Sequence, residues 1–367
     1  MNDRALRSVS LTTREEHFTI TAASEMMSAF CLANSFSDLR ERIDSIVVGI
    51  NSLGEDVLVK DLGCTGSCLA LLKDAFVPNA VQTIKNNLAI VHGGPFANIA
   101  HGCNSVVATN TALSLCDYTV TEAGFGSDCG ALKFLDIKCG QNNIYPDLVI
   151  VNSTIRSLKY NGEGILEKGI ENLAFHVKNM KKFNDNVLVV INRFEDDTEK
   201  EISYVLEYCK NVLDTKAVLS NMYFDGVNNT KDIVDTVIKF CSKENTKRFD
   251  AYDLNDDIFT KIDKFCKLYN AKEVVYKNGS HEKLEILGKK YPNYRICISK
   301  TPLSITDDKN VLGCPKDFTM TVTDAYVNGA GRFITVMMGN VITLPGLTRD
   351  AAYKNIDVID NEVRGLF

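Results

Sequence analysis

The stretch VLVVIN at residues 187–192 decides the fold class, because it is a short, continuous aliphatic run that ends in an amide. Such a run is typical of a strand buried on both faces of a parallel sheet. Similar runs occur at Ile46–Ile50, Leu88–His92, Tyr118–Glu122, Leu148–Asn152 and Ala217–Leu219. Helix-like segments separate them at Ser24–Leu32, Leu69–Asp74, Ala108–Leu115, Ala131–Lys138, Gly164–Lys182 and Thr198–Leu213. Alternation of strand and helix predicts an α/β fold with a mostly parallel sheet.

The composition is that of an ordinary globular protein. Of the 367 residues, 45% are hydrophobic and 24% are charged, with a net charge of −6, which argues against disorder and against a basic nucleic-acid-binding surface. The aliphatic runs are far shorter than the roughly 18–20 residues of a membrane span. The first thirty residues are too charged for a signal peptide, and the twelve cysteines form no CxxC pair. We therefore expect a cytoplasmic protein that binds neither nucleic acid nor membrane.

The segment that follows the run Leu88–His92 has the composition of a ligand-binding loop. Gly93 and Gly94 allow a sharp turn with amide groups near a ligand, and His92, Asn98 and His101 add polar side chains. The alternative is a tight turn with histidines that are only hydrogen bonded within the protein.

A second loop, after Tyr118–Glu122, combines acidic residues with glycine. Glu122 and Asp128 could hold Mg²⁺ near phosphate groups, while Gly124 and Gly126 let the backbone approach oxygen atoms. The competing interpretation is that these glycines only ease the packing of a helix on a sheet.

Two later strand ends carry candidates for recognising a flat ring and an anion. Asn192 offers a donor and an acceptor to a purine edge, and Phe194 could stack on the ring. Arg156 could reach an anionic group, or could simply lie on a solvated loop.

The usual phosphate-binding motif, G-x-x-x-x-G-K-[ST], does not occur in the sequence. The only Gly-Lys pair is Gly288-Lys289, which lies in a charged helical segment. We therefore expect that these 367 residues do not encode the phosphate cradle of a nucleotide site.

Three stretches resemble one family closely: VHGGPFANIAHGCNS at 91–105, DYTVTEAGFGSD at 117–128 and FLDIKC at 134–139. The family is formate–tetrahydrofolate ligase, also called formyltetrahydrofolate synthetase. The resemblance extends from the first residue to the last. It implies formation of 10-formyltetrahydrofolate from formate, tetrahydrofolate and MgATP through formyl phosphate, with a monovalent cation as a further possible cofactor.

The resemblance also implies a P-loop-NTPase-like, mostly parallel sheet core that lacks its first strand and phosphate loop, plus a C-terminal α+β region. The expected regions are 1–213, the remnant of a nucleotide- and folate-binding core; 214–290, mainly helical; and 291–367, α+β. The implied sites are catalytic Lys73, His92, His101 and Arg156; substrate- or folate-binding Phe96, Asn98, Phe194 and Tyr223; nucleotide-binding Gly93, Gly94, Gly124, Gly126 and Asn192; and metal-binding Glu122 and Asp128.

The chain departs from the family pattern at several positions. Residues 1–7 resemble a stretch that is internal in the family, Tyr223 replaces a Trp, and Leu132 replaces a Glu. After LPGL at 344–347 the usual prolines are missing. We therefore expect either a ligase that acts with a complementing N-terminal fragment or as a homo-oligomer, or a non-catalytic folate- or nucleotide-binding homologue that pairs with a full-length subunit. A structural remnant without a ligand is the third possibility.

Overall fold

The structure is a computed structural model that describes residues 8–10, 12, 15–16, 20–227, 230–247, 250–341, 350–359 and 362–365. The N-terminal stretch 1–7 and the tail stretch 342–349, both compared with the family above, lie outside the described residues.

The secondary structure of the described chain consists of short strands and helices that alternate irregularly. The strands are β1 Val9–Ser10, β2 Glu15–Glu16, β3 Val47–Ile50, β4 Asp56–Leu58, β5 Asn79–Gln82, β6 Leu88–Val91, β7 Val149–Ser153, β8 Val187–Asn192, β9 Ala217–Ser220, β10 Ala271–Tyr276, β11 Arg295–Ser299, β12 Phe318–Asn328, β13 Phe333–Met338, β14 Asp357–Ile359 and β15 Glu362–Arg364. The α-helices are α1 Glu25–Leu32, α2 Phe36–Asp44, α3 Thr65–Leu72, α4 Val106–Leu115, α5 Gly140–Asn142, α6 Ile155–Asn161, α7 Leu166–Phe183, α8 Glu199–Asn211, α9 Met222–Asp225, α10 Lys231–Cys241, α11 Ile258–Lys267 and α12 Ser280–Lys290. Ser127–Ala131 and Phe134–Cys139 are π-helical, and Thr21–Ala23, Val59–Leu62 and Ala352–Asn355 are 3₁₀ helices.

The predicted parallel sheet is present, with strand order β7-β8-β9. β8 is the central strand and is buried over almost its whole length, as expected for an aliphatic run covered on both faces. The helices after β7 and β8 both begin with capping boxes, in which Thr154 pairs with Ser157 and Thr198 pairs with Glu201. These caps fix where each helix starts, and so they fix the loops at the carboxyl edge of the sheet.

A second sheet, with strand order β10-β12-β13-β11, lies in the C-terminal part of the chain. β12 and β13 are antiparallel neighbours, joined by a short turn at residues 329–332. The edge strand β10 is parallel to β12, and the edge strand β11 is parallel to β13. β10 was not predicted and lies in the region 214–290 that we expected to be mainly helical, so this region contributes a strand to the C-terminal sheet.

Three of the predicted strands do not join the parallel sheet. Ile46–Ile50 and Leu88–His92 form antiparallel hairpins instead, as β3 with β4 and β6 with β5. Tyr118–Glu122 is not a strand, and Val120 is 87% exposed. A short apolar run does not specify which strand it pairs with. Here β4 (56–58) pairs with β3, and β5 (79–82) pairs with β6, each within a few residues along the chain. The β5–β6 hairpin exposes most of its apolar side chains, including Val81, Ile84, Leu88 and Val91.

The two large sheets share one hydrophobic core. α7 packs Leu173 and Val177 in the same buried cluster as Val189 of β8 and Val336 of β13. A buried ion pair lies in this part of the molecule, where Arg295 Nη1 is 2.6 Å from a carboxylate oxygen of Asp136. The chain is therefore a mixed α/β protein, and the missing first strand and phosphate loop remain predictions. No helix in the described ranges has the length and apolar character needed to cross a bilayer.

Candidate functional site

A stack of a guanidinium and two aromatic rings lies at the carboxyl edge of the parallel sheet. The guanidinium of Arg156, on α6, is 4.3 Å from the centre of the Phe194 ring, two residues after β8. The Phe194 ring is 6.3 Å from that of Tyr223, on α9, with 31° between the ring planes. Arg156 is held there by an ion pair with Asp196 at 2.9 Å. Three loops of one sheet edge thus present a continuous layer of cation and aromatic faces.

The rings of Phe194 and Tyr223, both expected to bind substrate or folate, contact each other directly. A centroid distance of 6.3 Å leaves no room for a ligand ring between them. Tyr223 is 82% exposed, so its outer face is open to solvent. Asn192 ends β8 directly before this stack and is half-buried. A flat ring can therefore stack on Tyr223, or replace it against Phe194 if the Tyr223 side chain turns away.

His92 is buried behind the first glycine loop. Its Nδ1 is 2.6 Å from Ser105 Oγ, and its Nε2 is 2.9 Å from the carbonyl oxygen of Ala75. Burial lowers the pKa of His92, and the hydrogen bond to Ala75 only partly opposes this shift. Both ring nitrogens are hydrogen bonded within the protein, so His92 stabilises the loop from the protein interior.

His101 is completely buried at the other end of the same loop. Within the described chain, neither of its ring nitrogens has a hydrogen-bond partner. Burial lowers the pKa of His101 to about 3, and the positive charges of Lys138, Arg42 and Lys133 add to this effect. The imidazole is therefore neutral over the physiological pH range.

Two glycines give this loop its shape. Gly93 and Gly102 have positive φ angles of 70° and 62°, and a Cβ atom would lie 2.4 Å from Cys31 Sγ at the first and 2.4 Å from Ala97 Cβ at the second. At Gly94, by contrast, an added Cβ would have no described atom within 4 Å. Gly94 is thus the glycine of this loop whose surroundings are open enough for a ligand.

The middle of the loop is tied to other elements through its backbone. The amide of Phe96 donates to Ala22 at 2.7 Å, and the carbonyl of Asn98 accepts a short hydrogen bond from Ser299. The side chains of Phe96 and Asn98 are half-buried. Five of the predicted site residues thus lie in one loop that is hydrogen bonded to other elements, with His101 at its end: His92, Gly93, Gly94, Phe96 and Asn98.

The second glycine loop, residues 121–128, packs on the first. A Cβ at Gly124 would lie 3.2 Å from the carbonyl oxygen of Gly102. A Cβ at Gly126 would lie 2.5 Å from Asp128 Oδ1 and 3.3 Å from a ring carbon of His176. Both glycines therefore make room for neighbouring protein atoms, in line with the packing interpretation.

The two acidic residues of this loop lie in different surroundings. Glu122 is exposed, whereas Asp128 is buried and forms a 2.6 Å ion pair with Lys300. In the described ranges no group of three or more His, Cys, Asp and Glu side chains could hold a metal ion. The Asp128 carboxylate is already engaged, so these two residues do not fit a shared magnesium site, and we derive no step from a protein-bound metal.

Lys73 follows the last residue of α3, and its side chain is exposed. It is two residues before Ala75, whose carbonyl meets His92.

Three side chains near the second loop were not predicted from the sequence: Ser127, His176 and Lys300. Ser127 Oγ lies 2.6 Å from His176 Nδ1, and Lys300 pairs with Asp128. His176 is a lone histidine on an amphipathic helix, and Lys300 follows a short strand. Neither has a local sequence signal, because the partners are 49 and 172 residues apart.

Comparison with known proteins agrees with the motifs on these loops. The family model for formate–tetrahydrofolate ligase matches residues 1–367. The formate–tetrahydrofolate ligase of Campylobacter concisus (strain 13826) is 44% identical over 389 aligned positions, covering all of this chain and 70% of the relative. Those of Pelagibacter ubique (strain HTCC1062) and Petrotoga mobilis (strain DSM 10674 / SJ95) are each 41% identical, and the chain covers 69% of both. The chain therefore belongs to the formate–tetrahydrofolate ligase family.

Proposed function

We propose that this chain ligates formate to tetrahydrofolate with consumption of MgATP, and that it binds a flat ring, of folate or of nucleotide, on the stack formed by Arg156, Phe194 and Tyr223. Family membership supports the reaction. The observation that carries the ring site is the stack itself, at the carboxyl edge of a parallel sheet, where open α/β sheets bind their ligands.

The reaction has two steps that balance without a further reactant. A formate oxygen attacks the terminal phosphorus of ATP, and ADP leaves, which gives formyl phosphate. An amine nitrogen of tetrahydrofolate then attacks the formyl carbon, phosphate leaves, and the amine loses a proton. Formyl phosphate is easily hydrolysed, so the site must exclude water while it stabilises negative charge with fixed donors.

Within this scheme we assign the predicted residues to two kinds of role. Lys73 and Arg156 are exposed cations that are free to approach an anionic substrate group, although Arg156 must share its charge with Asp196. The backbone at Gly94 is open to a ligand oxygen. We assign His92 and His101 as positioning residues, because both rings are buried.

Three further assignments complete the proposal. Phe96 and Asn98 contact substrate from the first loop, Asn192 recognises the edge of the stacked ring, and Glu122 faces the metal of MgATP. A monovalent cation, a cytoplasmic location and an assembly with a second copy or with a complementing fragment remain part of the expectation for the family.

The proposal is tested first by ligand binding. Titration calorimetry with ATP and with tetrahydrofolate should show binding of at least one of them to the purified chain. Tyr223→Ala should raise the Kd roughly 2- to 12-fold, because an aromatic contact contributes about 0.5–1.5 kcal/mol beyond buried area. Tyr160→Ala, which removes another exposed tyrosine, is the matched control and should leave the Kd unchanged. Binding of neither ligand would refute the proposal.

Turnover then separates a ligase from a homologue that only binds folate. Formation of 10-formyltetrahydrofolate from ATP and labelled formate should be well below the usual enzyme range of about 1–10³ s⁻¹, because the phosphate-binding motif is not in the sequence. Turnover within that range would show that other groups bind the phosphates in place of this motif. Binding without any product would support the non-catalytic homologue.

A further inference from the structure

Loop 121–128 is held at its C-terminal end by two side chains, one from a helix that packs on the parallel sheet and one that follows a strand of the C-terminal sheet. Ser127 Oγ is 2.6 Å from Nδ1 of His176, on the helix α7 that packs on the parallel sheet. Asp128 Oδ2 is 2.6 Å from Nζ of Lys300, which directly follows β11 of the C-terminal sheet. We propose that His176 and Lys300 are positioning residues of the ligand site, which hold loop 121–128 in its binding conformation against both sheets.

Lys300 is engaged so completely that it can only position other groups. Its side chain is fully buried, and besides Asp128 it donates to the carbonyl oxygens of Thr301 at 3.1 Å and Ser304 at 2.5 Å. An ammonium group has three hydrogens, and these three acceptors use all of them. No donor remains for a substrate, so the effect of Lys300 on a ligand must pass through Asp128 and the loop.

The N-terminal end of the loop is tied as well. Thr121 Oγ1 donates to Asn104 Oδ1 at 3.0 Å, and the same oxygen accepts from Lys138 Nζ at 2.7 Å. Gly124 lies against the carbonyl of Gly102. The loop therefore has a fixed start, a fixed middle and a fixed end, and it presents its free residues between these points.

The residue presented is Phe125, in a backbone conformation that needs outside support. Its φ angle is 63°, in the left-handed region that is unfavourable for a residue with a Cβ atom, and its ring is more than half exposed. Such a conformation persists only when its surroundings impose it. Without the contacts at Ser127 and Asp128, Phe125 would relax and the exposed face of the loop would change shape.

This inference rests on the proposed function in one respect, because it takes loop 121–128 to line the ligand site. The test therefore has an arm that needs no ligand. Ser127→Ala removes the hydrogen bond to His176 and leaves the buried ion pair intact. Ser242→Ala is the matched control, since it removes a serine hydroxyl that donates to the carbonyl of Lys239 on an exposed helix end.

The ligand-free arm is limited digestion with chymotrypsin, with cleavage after Phe125 followed by mass spectrometry. Cleavage after the exposed Tyr223 in the same digest is the internal reference. Losing one hydrogen bond should speed cleavage after Phe125 roughly 2- to 12-fold in Ser127→Ala and leave it unchanged in Ser242→Ala. His176→Asn, whose short amide can replace Nδ1, should resemble the wild type more closely than His176→Leu.

The second arm is titration with tetrahydrofolate and with ATP. We expect Ser127→Ala to raise the Kd of the ligand that binds, with unchanged thermal unfolding relative to Ser242→Ala, and we expect that ligand to slow cleavage of the wild type after Phe125. Unchanged cleavage in Ser127→Ala would overturn the positioning role of His176. Faster cleavage with an unchanged Kd would overturn the link between this loop and the ligand site. A wild type that binds neither ligand would overturn the proposed function, while the cleavage rates would still decide whether the loop is held as inferred.

Discussion

Replacing Lys300 by Met should destabilise the chain by about 3–5 kcal/mol, the usual cost of leaving one buried charge of an ion pair without its partner. The ion pair of Lys300 with Asp128 is almost completely buried, since the side chain of Lys300 is 0% exposed and that of Asp128 is 4% exposed. Lys289 and Glu285 form a pair of nearly the same length, at 2.6 Å, whose side chains are 74% and 48% exposed. Lys289→Met is therefore the control, and it should cost less than about 1 kcal/mol.

The measurement is the free energy of unfolding from urea denaturation, followed by circular dichroism. The double variant Asp128→Asn, Lys300→Met removes both charges and should recover more than half of the loss, because no unpaired charge then remains in the core. If Lys300→Met costs no more than Lys289→Met, the pair does not behave as a buried one and the reasoning is wrong.

The pH dependence gives a further check with a definite sign. Burial alone would raise the pKa of Asp128, but the charges of Lys300 and His176 and the hydrogen bond from Lys300 hold it below its ordinary value. A carboxyl group with a depressed pKa in the folded state stabilises the protein above its unfolded pKa of about 3.9, and this contribution is lost as the pH falls through the folded value. In Lys300→Met, burial raises the pKa of Asp128 without opposition from Lys300, so the carboxyl of the folded variant takes up a proton at a higher pH than in the unfolded chain. The difference in stability between wild type and Lys300→Met should therefore begin to shrink above pH 4 and keep shrinking as the pH falls further.

Two further substitutions test the packing at Gly126 and Gly130, and the pH dependence of stability tests the lowered pKa of His101. Gly126→Val should lower stability by about 1–3 kcal/mol, because the new side chain would meet Asp128 and His176, and melting should fall before ligand affinity does; normal melting with lost binding would restore the view that a ligand contacts this glycine. Gly130→Ala should be worse, since its Cβ would lie 1.5 Å from the carbonyl oxygen of Gly124, and a variant that melts like the wild type would contradict this packing. The pKa of His101 is lowered to about 3, so the unfolded chain takes up a proton below pH 6.5 that the folded chain does not. Wild type should lose about 2 kcal/mol of stability from this residue between pH 7 and pH 5, and His101→Leu should show a correspondingly flatter profile.

The sequence predicts the three strands that form the parallel sheet because their signal is local, but the runs at 46–50, 88–92 and 118–122 carry a similar signal and do not join that sheet. The run 187–192 is continuous and aliphatic, and the burial of β8 follows directly from that pattern. Capping residues such as Thr198 with Glu201 mark the helix that follows. The family motifs are local in the same sense, and they identify both glycine loops as contiguous stretches.

What the sequence did not predict depends on partners far along the chain. β10 contains Lys272 and Glu273, both exposed, so it lacks the apolar signal of a buried strand although it pairs along β12. Val120 belongs to an apolar run and yet is exposed, because no described strand pairs with it. The contacts of His176 and Lys300 with loop 121–128 also form only after the two sheets pack together.

The exposed β5–β6 hairpin has a consequence for how this chain behaves in concentrated solution. It is a two-stranded sheet in the described structure, and between residues 79 and 91 Lys85 is the only charged residue. Ile84, at its tip, is 100% exposed. Two-stranded sheets are only marginally stable in water, and uncharged apolar edges are templates for pairing with other chains. This hairpin is therefore the segment from which aggregation of the chain should start, and a charged residue in place of Val81 should raise the concentration at which the protein stays in solution.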